Sequence, residues 1–291
     1  MTGPRRRILV IGIGAGDPDH LTLAAVKAMR RADVFFVLGK GAEKESLTGL
    51  RRDMLDAHVP GPFRVVEAED PWRDRTRGDR AGYTHAVHDW RRRRADVCER
   101  LITEELVPGQ CGAFLVWGDP SLYDSTLAIL DDVLARGGVD FDHEVIPGIT
   151  SVSALAARHR VPLNRVGRPV LVTPGRRLAE AVAGAGARAD ADTGTGAAVE
   201  PDAARLPGSG IGADADTVVM LDSHESFRGL TGRGLWIYWG AYLGTPDEIL
   251  VSGPLDEVAG RIGRVRAEAR ARHGWIMDTY LLRPPPEPAA G

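Results

Sequence analysis

Three stretches of this chain combine the small, polar and acidic residues that a backbone-lined ligand site needs. The first, GIGAGDPDHLT, sets Gly12, Gly14 and Gly16 between an apolar run and a helical pattern. Backbone N–H groups there can approach an anion closely, and a helix N-terminus favours negative charge. By itself the spacing is a weak signal, because glycines serve a tight turn equally well. A dinucleotide site would also carry an acidic residue about 20 positions later, at the end of the second strand, to hold ribose hydroxyls. That strand ends Leu38, Gly39, Lys40, which argues against a dinucleotide. Asp17, Asp19 and Thr22 each have the type and place of a helix cap.

The second stretch, FLVWGDPSLYDST, runs an apolar strand through Trp117 straight into Gly118, Asp119 and Pro120. Carboxyl ends of parallel strands are where α/β proteins bind ligands. Asp119 there suits a cation such as a sulfonium or an amine, or else simply caps the turn. The third stretch, VIPGITS, repeats the arrangement, with Pro147 and Gly148 followed by Thr150 and Ser151 as hydroxyl donors at a helix start. Two such turns from consecutive strands would face one crevice.

The elements that must position these turns follow from periodicity. Residues 8–13 (ILVIGI) read as a buried strand, LTLAAVKAMRRA as a helix and VFFVL from Val34 as a second strand, a βαβ opening. Helices are predicted around 43–57 and 80–107, a strand at 112–117, a helix from about Asp124 to Arg136 and a strand at FDHEVI. Strands alternating with helices imply a parallel sheet. A short helix from Ile149 to His159 leads to RPVLVT; beyond the low-complexity stretch described next, TVVMLD, LWIYW and EILVSG read as strands, Leu255 to His273 as a helix, and WIMDTYLL follows.

At 291 residues the chain exceeds the usual single domain. We expect an N-terminal α/β domain over 1–148 and a C-terminal α/β domain over 149–283. Composition shifts to Ala, Gly and Asp over about 179–216, and ADADT occurs at Ala189–Thr193 and again at Ala213–Thr217. This reads as a surface insertion that copied its flank, with a mobile lid as the alternative; loop closure entropy tolerates such insertions. The tail, 284–291, is expected to be disordered.

A hydrophobic fraction of 43% with no long apolar run argues against a membrane span, and two cysteines without ligand spacing fit a reducing compartment and no metal. With a glycine-interrupted apolar run at the N-terminus and no cleavage site, a cytoplasmic location is expected. The net charge of -3 argues against a general nucleic-acid binder but leaves room for local basic patches. Arg91 to Arg94 read as a solvated helix face. Arg165, Arg168, Arg176 and Arg177 are better placed to grip a carboxylate-rich ligand, because guanidinium forks bind carboxylates bidentately. His85 and His88, three apart, and the aromatic Tyr238, Trp239 and Tyr242 read more naturally as surface and core than as catalytic or stacking groups.

The combination GIGAGDPDHLTLAAVKAM, WGDPSLYDS and VIPGITS, in this order and spacing, resembles the tetrapyrrole methylase family over nearly the whole chain apart from the insertion. That resemblance implies a two-domain α/β fold with S-adenosylmethionine in the interdomain cleft. By position, Gly118, Asp119, Ser121, Thr150, Ser151, Met220, Leu221 and Ala241 would line the cofactor site. Gly14, Gly16 and Asp17 would lie toward the substrate, with Arg168 and Arg176 as carboxylate contacts, and Asp17, Asp119 or Tyr123 would assist the chemistry. The longer strings GRRLAE, IYWGAYLGTPDEILVSGPL and ARARHGWIMDTYLL are similar to the branch that methylates precorrin-5 at carbon 1 with loss of acetate. Ala15 stands where many members have proline and Trp117 where many have tyrosine, both features of that branch, whereas Gly39 stands where an aspartate is expected. The family's habit implies a homodimer. A related enzyme acting on another precorrin or on diphthamide, and a non-catalytic nucleotide-binding regulator, are the rival readings.

Overall fold

The computed structural model of the chain describes residues 3–39, 45–72, 80–178 and 215–286. The chain divides into two units, Met1–Thr150 and Ser151–Gly291.

The first unit is a five-stranded sheet. Its strands are β1 (Arg6–Gly12), β2 (Val34–Gly39), β3 (Arg64–Glu69), β4 (Cys111–Val116) and β5 (Phe141–Ile146), in the order β3-β2-β4-β1-β5. Every pairing is parallel, as the alternation of strands and helices implied. Side chains alternate across the sheet with period two. Ile8, Val10, Phe114 and Val116 therefore join one core, with α3 (Arg80–Glu105) and α4 (Thr126–Arg136). Leu9, Ile11, Ala113 and Leu115 join the other, with α1 (Leu23–Met29) and α2 (Glu45–His58). Central β4 is buried throughout, whereas edge strand β3 is nowhere fully buried and carries exposed Arg64, Glu67 and Glu69. That charge is why β3 has no counterpart among the predicted strands.

This connectivity creates a switch point. After β1 the chain crosses to β2 over the face that carries α1; after β4 it crosses to β5 over the face that carries α4. Neighbouring strands β1 and β4 thus send their connections in opposite directions over opposite faces, which opens a crevice at their carboxyl ends.

The second unit departs from the parallel expectation. Its strands are β6 (Val170–Pro174), β7 (Asp216–Met220), β8 (Trp236–Ala241), β9 (Ile249–Pro254) and β10 (Asp278–Arg283), in the order β6-β7-β10-β8-β9. Only β6 and β7 run parallel; β10 is antiparallel to both neighbours and β8 to β9. A parallel neighbour needs a crossover of about a dozen residues or more, usually a helix, and nothing helical separates β8 from β9. Helix α6 (Leu255–His273) packs Leu255, Ala259, Ile262 and Ala269 onto one face with Trp239, Tyr280 and Phe227. Helix α5 (Ser151–His159) covers the other face, where Leu155 lies so close to Gly240 that a Cβ there would stand 2.9 Å from its Cδ1.

The low-complexity stretch falls outside the described residues as far as 214, and so do both readings of it, while only 284–286 of the tail are described. The second ADADT copy ends inside β7, where Asp216 and Thr217 are fully buried, so its last residues belong to the core. No helix among the described residues is long and apolar enough to cross a membrane.

Candidate active site

The loops after β1, β4 and β5 meet at the switch point, the first two through backbone alone. Gly118 N–H donates to Gly14 O at 2.7 Å and Gly14 N–H to Gly118 O at 3.3 Å, a two-residue antiparallel bridge between the first and second loops. Gly14 and Gly118 sit at φ +81 and +67, the left-handed region that glycine enters without strain. A Cβ on Gly148 would stand 2.1 Å from Gly118 O and 2.8 Å from Gly12 Cα. The three strand ends therefore approach more closely than any side chain allows.

Asp119 ties this arrangement together. Its Oδ2 accepts from Gly148 N–H at 2.8 Å, and its Oδ1 accepts from Ser121 N–H at 2.8 Å and from the Ser121 hydroxyl. Burial alone would raise the Asp119 carboxyl, but the bonds from Ser121 and Gly148 outweigh it and hold the group below its usual range. The strand-end aspartate is a permanent anion with both oxygens engaged, which suits it to hold a loop and to favour a nearby cation rather than to move protons. Asp17 caps the 3-10 turn Pro18–His20 by accepting from Asp19 N–H at 2.9 Å, and Thr22 caps α1 through Ala25 N–H at 3.0 Å. Asp19 is the donor in the first of these and caps nothing itself. Gly16 lies just before that turn at φ 152, and Tyr123, 43% exposed at φ +54, sits between the Asp119 turn and α4. Thr150 is half-buried at the end of the unit.

In the second unit the sites taken from the resemblance fall at strand ends. Met220 ends β7, and Leu221 follows it at φ +55 with 66% of its surface exposed, an unusual setting for a leucine. The next residue explains that setting: buried Asp222 accepts from Tyr280 OH at 2.6 Å, Ser226 N–H at 2.7 Å and His224 N–H at 3.0 Å. Arg266 donates to Asp222 O at 2.7 Å and pairs with Asp278 at 3.0 Å, and Trp239 Nε1 donates to the same Asp278 carboxylate at 3.1 Å. This buried network pins the end of β7 and turns Leu221 outward. Nothing in the sequence marked Asp222, Arg266, Asp278 or Tyr280 as a set, because they are scattered over three elements. Ser151 opens α5 with its hydroxyl 3.1 Å from that of Thr279.

Other residues have structural tasks. Ala241 is fully buried in the core of the second unit, so its side chain offers nothing to a ligand and only its backbone remains. Tyr238, Trp239 and Tyr242 are buried, as an aromatic strand suggested. Arg165 bonds buried Asp216 through Nε at 2.9 Å, a structural task, and Arg168 and Arg176 are exposed. The arginine run on α3 is only partly a solvated face: Arg92 and Arg93 pair with Asp89, but Arg94 reaches buried Asp70 at 3.2 Å and lies over the Trp90 ring. His85 and His88 are exposed, and His88, Arg91 and Arg92 line a 380 Å³ concavity between α3 and α4 with no strand-end loop in its wall.

A strand-end cradle of glycines, an anion at the switch point and a second, mixed α/β unit define a class, and sequence comparison names it. Residues 7–259 match the model of the Tetrapyrrole (Corrin/Porphyrin) Methylases, and the chain belongs to that family. More narrowly, it is 46% identical over 96% of its length to precorrin-6A synthase (deacetylating) of Sinorhizobium sp, covering 95% of that protein. A crystal structure of a cobalamin synthesis related protein from Corynebacterium diphtheriae superposes with a TM-score of 0.71 at 34% identity, covering 96% of this chain and 98% of that one. Cobalt precorrin-4 methyltransferase matches at a TM-score of 0.52 and 17% identity, covering 95% of this chain and 94% of that one, a likeness of fold.

Proposed function

We propose that this chain is an S-adenosylmethionine-dependent C-methyltransferase that converts precorrin-5 to precorrin-6A, methylating carbon 1 and releasing acetate in cobalamin biosynthesis in the cytoplasm, as a homodimer. The observation that carries the substrate is the 46% identity sustained over 96% of the chain to precorrin-6A synthase (deacetylating).

The residues present fit the cofactor. The backbone approach at Gly12, Gly118 and Gly148 leaves a surface without side chains, and the fixed negative charge of Asp119 suits a sulfonium. We assign Gly118, Asp119, Ser121, Thr150, Ser151, Met220, Leu221 and the backbone of Ala241 to its binding, with the outward-turned Leu221 supplying apolar surface. When bound, S-adenosylmethionine supplies an electrophilic methyl group for in-line displacement by carbon. For such a step the protein contributes mainly orientation, worth roughly 7 to 11 kcal/mol in well-aligned cases, and the bridged glycine loops supply the rigid frame that orientation needs.

Loss of acetate requires water. One water adds to the acetyl carbonyl at carbon 20, the bond from the acetyl carbon to the ring breaks, its electron pair stays with the macrocycle, and acetate leaves. Asp119 is ill suited to take the water's proton, since both its oxygens accept hydrogen bonds. Asp17 uses one oxygen as a cap and has the other to accept that proton, and Tyr123 is a partly exposed residue beside the Asp119 turn. Gly14, Gly16, Arg168 and Arg176 are assigned to the substrate side. A panel of precorrin-2, precorrin-4, precorrin-5 and the diphthamide-bearing translation factor, each with labelled methyl donor, tests the reading: label enters precorrin-5 alone. Transfer to another member of the panel would overturn the substrate, and no transfer to any would favour a binding protein.

A further inference from the structure

Arg51, on α2, belongs to none of the motifs above. Its guanidinium carbon lies 5.0 Å from the centroid of the Trp117 ring, and its Nε donates to Leu115 O at 3.4 Å. Leu115 and Trp117 project to the same face of β4, so the arginine is laid along the last turn of that strand, directly before Gly118. With Nε turned to the backbone, the two terminal nitrogens carry no ion pair with a carboxylate among the described residues. A guanidinium lying over an aromatic ring, with both terminal nitrogens outside any ion pair, retains the fork that takes a carboxylate bidentately.

The surroundings favour an anion there. Burial, and after it the charge of Arg94, push Arg51 down to about 10, which still leaves it a cation at neutral pH; Asp124 opposes them. Arg94 already has Asp70, whose side chain is fully buried, as its counter-charge. Asp124 accepts from Thr126 N–H at 2.7 Å at the start of α4 and makes no ion pair with Arg51. Arg51 sits on the α1/α2 face and Arg94 on the α3/α4 side; Arg94 is paired with Asp70, whereas Arg51 feels Asp124 without an ion pair to it. A partly buried cation in that position is stabilised by an incoming anion.

We propose that Arg51, held on Trp117, binds a carboxylate side chain of the tetrapyrrole substrate. The assignment rests on the reading of the chain as a tetrapyrrole methyltransferase. A purely structural Arg51 would instead only staple α2 to β4.

The test uses the whole protein with two probes: uroporphyrin, a stable macrocycle with eight carboxylates, by fluorescence quenching, and S-adenosylhomocysteine by calorimetry. Arg51→Met keeps the apolar stem and removes the charge. It should weaken uroporphyrin binding at least about tenfold and raise the KM for precorrin-5 by a similar factor, with S-adenosylhomocysteine affinity within about twofold of wild type. Arg51→Lys keeps charge without the fork and should weaken uroporphyrin several-fold; it is the decisive variant if Arg51→Met does not fold. Uroporphyrin affinity unchanged in the folded variants, equal loss of both probes, or a wild type that does not bind uroporphyrin would each overturn the proposal. A wild type that binds uroporphyrin but releases no acetate from precorrin-5 would overturn the assigned reaction instead, with Arg51 still judged by the uroporphyrin arm.

Discussion

Asp119 accepts a 2.8 Å hydrogen bond from the backbone N–H of Gly148, joining the turn after β4 to the turn after β5 across 29 residues of chain. The bond fixes both loops at once, because the other Asp119 oxygen holds Ser121. Asp119→Asn replaces one acceptor oxygen with a donor NH2 that must face an N–H. We expect S-adenosylhomocysteine affinity to fall at least about tenfold, roughly 1.4 kcal/mol, with the far-UV spectrum retained. Unaltered affinity by calorimetry would remove this bond from the account of the site.

Two Gly→Ala substitutions should act in opposite directions. At Gly148 a Cβ would stand 2.1 Å from Gly118 O, so Gly148→Ala must push the loops apart. Gly49, on α2, has nothing within 4 Å of a built Cβ and no positive φ. Gly49→Ala should stabilise by roughly 0.5 to 1 kcal/mol through helix propensity, while Gly148→Ala lowers cofactor affinity. Urea midpoints and calorimetry on the pair read both effects.

The network behind Leu221 is testable through one hydroxyl. Tyr280 OH donates to buried Asp222 at 2.6 Å, and burial, reinforced by the charge of Asp222, pushes the phenol well above its usual range. Tyr280→Phe leaves that carboxylate short of a donor and should destabilise the chain by about 1 to 3 kcal/mol. A urea midpoint equal to wild type would show that the other donors to Asp222 suffice.

His159 gives a pH dependence with a definite sign. Burial lowers its pKa from 6.5, against the opposing pull of the Trp239 carbonyl, to which Nε2 donates at 3.1 Å. Because the folded value lies below the unfolded one, the neutral ring's contribution is full above about pH 6.5 and is lost as pH falls through the folded pKa. The urea midpoint of wild type should drop more between pH 7.5 and 5.5 than that of His159→Leu. Parallel pH profiles would contradict this.

Much of the fold was legible because its signals are local. Apolar runs ending in glycine located β1 and β4, and the period of Leu255–His273 gave α6 its observed bounds. What escaped was set by neighbours. Edge strand β3 needs only one partner and so tolerates Arg64 and Glu67, which hides it among loops. The antiparallel pairings of β10 depend on which strands it inserts between, a long-range choice with no local mark. At the site, the Gly-Asp-Pro turn was readable as a motif, but the use of both Asp119 oxygens was not. Arg51 was invisible for the same reason: a lone arginine in a helix acquires meaning only when the fold sets Trp117 beneath it.

The central claim is tested most directly by incubating the purified chain with precorrin-5 and S-adenosylmethionine and measuring product mass and free acetate together. The account predicts one methyl group added at carbon 1 and one acetate released per turnover. A methylated product that retains its acetyl group, or methylation at another carbon, would contradict it.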